Sequence, residues 1–109
     1  MKELIDNIKE FLESGEDNLK KERFNASATD FFKAIVVTCD YILYSKIKIL
    51  PKNHSERFSL LNKHFEEIYL KVSELFLVYV KSYNFKVKKE DVLKIKEYAY
   101  NIKSIINKD

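Results

Sequence analysis

The sequence predicts an all-α chain, an antiparallel up-and-down four-helix bundle. Three observations carry this expectation. The 109 residues include one Gly and one Pro, far too few for the turns of a many-stranded fold. The apolar residues recur at helical rather than alternating spacing. They make up 46% of the chain, with eight Phe and seven Tyr among the large side chains, so an aromatic-rich core can form. A length of 109 residues suits one domain, and residues 1–109 read as a single unit without linkers or repeats.

The first helix is expected from about Lys2 to Ser14, where Leu4, Ile8, Phe11 and Leu12 share a face. Gly15 is its expected stop, because Gly accepts a left-handed cap without penalty. The second helix is expected from about Glu16 to Ile47, bent or frayed near Asn18 to Asn25. Its stripe runs through Ala28, Phe31, Phe32, Ile35, Val36, Cys39, Ile42 and Leu43. Pro51 disfavours helical geometry at Leu50, so residues 48–52 form the connection. Asn53 can then cap the third helix, with Glu56 reaching back to it.

The third helix is expected from His54 to Tyr83. Phe58, Leu61, Phe65, Ile68, Val72, Leu75 and Tyr79 keep an unbroken alternation of three and four residues, as in the seam of a bundle. Leu70, Phe76, Leu77, Val78 and Val80 lie off that seam. A helix apolar nearly all round needs cover nearly all round, so a second copy of the chain is expected on this surface. The fourth helix is expected from Lys89 to Asn107, with Val92, Ile95, Ala99, Ile102 and Ile106 as its stripe. Glu90 and Asp91 in its first turn and Lys103 near its end suit the helix dipole.

The net charge of +3 is too mild to announce a nucleic-acid binder, but it is unevenly spread. Residues 1–30 carry five basic and eight acidic groups, whereas residues 44–64 carry five basic groups and Glu56 alone. The second stretch reads either as a solvated surface or as a place for a polyanion. Cys39 is the one cysteine, which excludes an intramolecular disulfide and fits a reducing compartment. The acidic start MKELIDNIKE is unlike an export signal. The apolar run Ile68 to Val80 is interrupted by Lys71 and Glu74 and is too short to span a bilayer. A cytoplasmic protein with no membrane association is expected. No ligand spacing of the zinc type and no Gly-rich phosphate loop is present, so no metal or cofactor is expected.

Two His and two Arg narrow the search for chemistry. Arg57 precedes His64 by seven residues, almost two full turns, so both side chains leave the helix in the same direction. An Arg fork grips phosphate oxygens and steadies developing negative charge. A His can take or give a proton near neutral pH. Such a pair suits attack of a ribose 2′-hydroxyl on its own 3′-phosphate, without metal. It equally suits two polar residues edging an apolar stripe. His54, three residues before Arg57, is either a second site residue or, preferably, a first-turn surface residue. Asp40 either faces the Arg57 region and orients it or lies exposed, and periodicity does not choose. Lys46, Lys48, Lys52 and Lys63 are candidates for contact with an RNA backbone, or simply solvated. Cys39, inside an apolar stripe, reads as packing.

Several runs together resemble the HEPN superfamily of small helical bundles: Arg23-Phe24-Asn25-Ala26-Ser27-Ala28, then Phe31-Phe32-Lys33-Ala34-Ile35, Asp40, Pro51-Lys52-Asn53-His54-Ser55-Glu56-Arg57-Phe58, Tyr83 and Glu97-Tyr98-Ala99. The resemblance covers nearly the whole chain in helix order and length. Its specific signature is an Arg followed by His after four to six residues, and Arg57 to His64 has six. It implies a metal-independent endoribonuclease working as a homodimer, with both motifs facing one cleft and Arg57 and His64 catalytic. It also implies toxin-like roles, with a nucleotidyltransferase as partner. Phe58 stands where the family often has a polar residue. Glu66 stands where some toxins carry a Tyr that receives AMP. The rival expectation is an inactive HEPN-like module that binds RNA, a nucleotide or a nucleotidyltransferase partner.

Overall fold

The computed structural model describes residues 1–106, and these form five helices with no strand. They are α1 (Lys2–Lys20), α2 (Phe24–Ile47), α3 (His54–His64), α4 (Glu66–Lys81) and α5 (Lys89–Ile106). The expected end of the last helix at Asn107 lies outside the described residues. The all-α class holds. The expected number of helices and two of the expected boundaries do not.

The first correction concerns Gly15, which lies inside α1 and does not end it. The helix stops five residues later in a Schellman arrangement. Arg23 N–H donates to Asn18 O at 2.9 Å and Glu22 N–H to Leu19 O at 3.0 Å, with Glu22 in the left-handed region at φ 57°. Gly15 has a packing task instead. A Cβ added there would sit 2.8 Å from the ring of Phe31, and its carbonyl accepts from the buried Ser27 Oγ at 2.8 Å. Absence of a side chain lets α1 and α2 approach closely as an antiparallel pair.

The second correction concerns the long third helix. Phe65 leaves helical geometry at φ −142°, ψ 65° and divides the stretch into α3 and α4. The chain then doubles back. Twenty-two residues of straight helix span about 33 Å, yet the rings of His54 and Phe76 lie 5.7 Å apart. The charges at the break suit both helix ends: Lys63 lies in the last turn of α3, and Glu66 and Glu67 in the first turn of α4.

Helix α2 lies at the centre and packs against all four others. Phe31, Phe32, Ala34, Ile35, Cys39 and Leu43 are essentially inaccessible on it. Ion pairing of Lys96 with Glu16 at 2.9 Å ties α5 to α1. Asn25, at the start of α2, holds the α4–α5 connection. Its amide donates to Ser82 O and Phe85 O at 3.0 and 2.7 Å, and its Oδ1 accepts from Val87 N–H at 2.9 Å. No helix among the described residues is long and apolar enough to cross a membrane.

Candidate functional site

The α3 N-terminus is built as its sequence dictates: Asn53 Oδ1 accepts from Glu56 N–H at 2.8 Å, an N-cap. This cap sets the first turn, so His54 and Arg57 fall one turn apart on a single face. That face meets α2 at Asp40. Arg57 Nε donates to Asp40 Oδ1 at 2.6 Å and Nη2 donates to Oδ2 at 2.9 Å, a two-pronged pair with both residues buried. Arg57 Nη1 lies 2.8 Å from His54 Nδ1. A guanidinium has only donors, so Nδ1 must accept, and the neutral imidazole carries its proton on Nε2.

His54 is held on its other side by aromatic rings, with Phe76 at 5.7 Å and Phe58 at 6.3 Å between centroids. Burial first, and the positive charge of Arg57 second, push its pKa below the usual 6.5, against the opposing pull of Asp40. The neutral form fits the hydrogen bond just described. Protonation would set an N–H against an N–H and a cation against a cation.

A cavity of about 380 Å³ opens beside this cluster, within the size range of ligand sites. Phe32, Val36, Val37 and Tyr79 give it an apolar wall, with Phe11 from α1. Lys33, Asn53, His54 and Arg57 supply its polar groups. Lys33 Nζ stands 5.7 Å from the centre of the Phe11 ring. With Arg57 neutralised by Asp40 and His54 neutral, Lys33 leaves the cavity with one positive charge. The arrangement can receive a planar or apolar group against the rings and an anion at Lys33 and the remaining N–H groups of Arg57.

Of the residues singled out by sequence, Asp40, His54 and Arg57 are brought together, and His54 is an exposed first-turn residue of α3 whose Nδ1 also meets Arg57. His64 is exposed in the last turn of α3, and no hydrogen bond joins it to Arg57 among the described residues. Lys46, Lys48, Lys52 and Lys63 are all exposed. Lys48 Nζ donates to Ser45 O at 3.3 Å, and Lys52 directly precedes the cavity residue Asn53. Cys39 is inaccessible, and burial pushes its thiol up to about 12, so it stays an inert packing group. Among the described residues no cluster of His, Cys, Asp and Glu suits a metal.

Sequence reasoning missed Lys33, Phe11 and Tyr79 as site residues. Lys33 had a signal: it is the one cation in the otherwise apolar run from Phe31 to Val37. It also shares a helical face with Val36, Val37 and Asp40. Phe11 and Tyr79 carried none, since their spacing is that of ordinary core residues. No family model, curated protein or solved structure matches the chain.

Proposed function

We propose that this chain is a HEPN-like helical protein that binds a phosphate-bearing ligand, RNA or a nucleotide, in the cavity between α2 and α3. In this reading α1, α2, α4 and α5 are the four helices of the bundle and α3 is a short insert carrying the site. The observation that supports it is the Arg57 guanidinium, fixed by Asp40 and His54 at the wall of a cavity that also presents Lys33. A fork anchored in this way grips phosphate with little further loss of side-chain freedom. Lys33 adds charge at the cavity wall, with Lys52 next in sequence to the lining residue Asn53, and the aromatic wall offers a face on which a base can stack. Lys46, Lys48 and Lys63 extend the basic surface available to a longer strand.

A second reading is metal-independent cleavage of RNA, with Arg57 holding the scissile phosphate and His64 moving the proton. The exposure of His64 at the end of the same helix favours it. The commitment of Arg57 to Asp40 and His54 favours binding alone. A homodimer and a nucleotidyltransferase-type partner accompany either reading through the resemblance, in a cytoplasmic setting.

The test is fluorescence anisotropy of a labelled single-stranded RNA in EDTA, with ATP as a competing nucleotide, followed by analysis of the RNA ends. Saturable binding with intact RNA supports the binding module. Cyclic-phosphate ends that disappear in His64→Ala establish the nuclease. Neither RNA nor ATP binding removes the proposal.

A further inference from the structure

The connection between α4 and α5 carries the two most exposed large apolar side chains among the described residues, Tyr83 and Phe85, each 69% exposed. Lysines surround them. Lys81, Lys86, Lys88 and Lys89 are all exposed, and no acid lies between Glu74 and Glu90. Arg23 adds to this charge and Glu22 offsets part of it, both lining one hollow with Lys86. A lone exposed ring needs no explanation. Two exposed rings interleaved with lysines suit a single nucleic-acid strand, with bases on the rings and phosphates on the cations.

The connection is held in place. Asn25 binds its backbone at Ser82, Phe85 and Val87, and Tyr83 is anchored through its hydroxyl, 2.7 Å from that of Tyr79. A tyrosine at a surface ordinarily keeps its ring against the protein and its hydroxyl in water. Here the hydroxyl is tied and the ring stands out. Tyr79 in turn stacks on Phe32 with centroids 4.7 Å apart, and both line the cavity. A path therefore runs from Arg57 past Tyr79 to Tyr83. Its ends are marked on α2 by Asp40, which holds Arg57, and by Thr29, whose hydroxyl lies 3.4 Å from Ser82 Oγ. At helical rise these two positions are about 16 Å apart. A strand advances about 3.4 Å per stacked nucleotide, so the path suits several nucleotides and not one.

We infer that the α4–α5 connection is a second binding site for a single RNA strand, with Tyr83 and Phe85 stacking the bases that follow the one in the cavity. The inference rests on the proposed reading of the cavity and makes its ligand a strand rather than a free nucleotide.

The experiment is calorimetric titration of the full chain in EDTA with UMP and with an oligouridylate of about eight nucleotides. The expected result is that the strand binds more tightly than UMP by roughly tenfold or more. Tyr83→Ala combined with Phe85→Ala, in a chain whose melting is unchanged, removes that gain and leaves UMP binding as it was. Tyr83→Phe, which keeps the ring, retains it. Lys86→Ala lowers the slope of log affinity against log salt by about 0.7. A strand held no more tightly than UMP, or held equally by the parent and the double variant, overturns the inference while UMP binding upholds the cavity. Absence of binding by both removes the cavity reading and this inference with it. Attachment to phosphatidylserine vesicles that the double variant loses, with strand binding intact, assigns the connection to a membrane surface and also overturns the inference.

Discussion

Around Gly15, α1 and α2 meet at close range, and the buried polar groups there are paired. Gly15 admits Phe31, Ser27 reaches the Gly15 carbonyl, and Phe31, Ile35, Ile95 and Ile102 are inaccessible. The α3–α4 half is built on another plan. Where its α3 and α4 meet α2, an ion pair is buried, a surface histidine stacks on partly exposed aromatic rings, and a cavity opens with α1 and α2 on its other side. The contrast separates two uses of the same residue types. Close packing gives the first half its stability, whereas the second half spends stability on groups that can still make contacts. Loss of a contact should therefore cost the first half folding energy and the second half mainly function, with one exception.

That exception is the largest expected effect. Asp40→Ala leaves the Arg57 charge buried without its partner and should destabilise the chain by about 3–5 kcal/mol in urea unfolding. Replacing both members by apolar residues, Asp40→Leu with Arg57→Met, should recover most of this loss while abolishing ligand binding. A double variant as unstable as Asp40→Ala would show that the pair has a structural purpose only.

In the packed half, Gly15→Ala should cost about 1–3 kcal/mol. The added methyl meets a Phe31 ring that has nowhere to go, and this outweighs the roughly 1 kcal/mol that Ala gains over Gly in a helix. Leu at position 31 in the same chain should relieve the clash, as thermal unfolding would reveal. Asn25→Ala, which removes three hydrogen bonds to the α4–α5 connection, should cost about 1–2 kcal/mol. It should also raise amide exchange at residues 82–87 before it raises exchange in α2.

The smallest effect is on pH dependence. The His54 pKa lies below its unfolded value, so the unfolded chain binds the proton more readily. Stability from this group is therefore present above about pH 6.5 and is lost as pH falls through the folded-state pKa. The difference in melting temperature between the parent and His54→Gln should shrink on acidification from neutral pH. A constant difference would mean that burial and the Arg57 charge do not hold His54 neutral.

Much of the packed half was legible in the sequence, because helical periodicity reports burial directly. The stripe of α5 matches its buried positions one for one, and that of α2 does so apart from half-buried Val36 and the buried Ala34. Gly15 misled because a Gly that ends a helix and a Gly that admits a neighbouring ring look alike in one dimension, while the true stop fell to Glu22 in a conformation Gly usually supplies. The break at Phe65 was hidden by a seam that keeps its spacing across both helices. Its trace was electrostatic, in Lys63 and His64 followed by Glu66 and Glu67. In the site, Arg57 and its neighbours His54 and Asp40 were found by residue type. Their mutual geometry depends on how α3 folds against α2, which spacing along one helix cannot report.

The central claim is that the cavity beside Arg57 receives a phosphate-bearing ligand. The most direct measurement is an amide NMR titration of the protein with a short single-stranded RNA and, separately, with ATP. The account predicts saturable shifts concentrated at Lys33, Val36, Val37 and residues 53–57, removed by Lys33→Glu in a chain that remains folded. Shifts confined to the other side of the molecule, or none with either ligand, would contradict it.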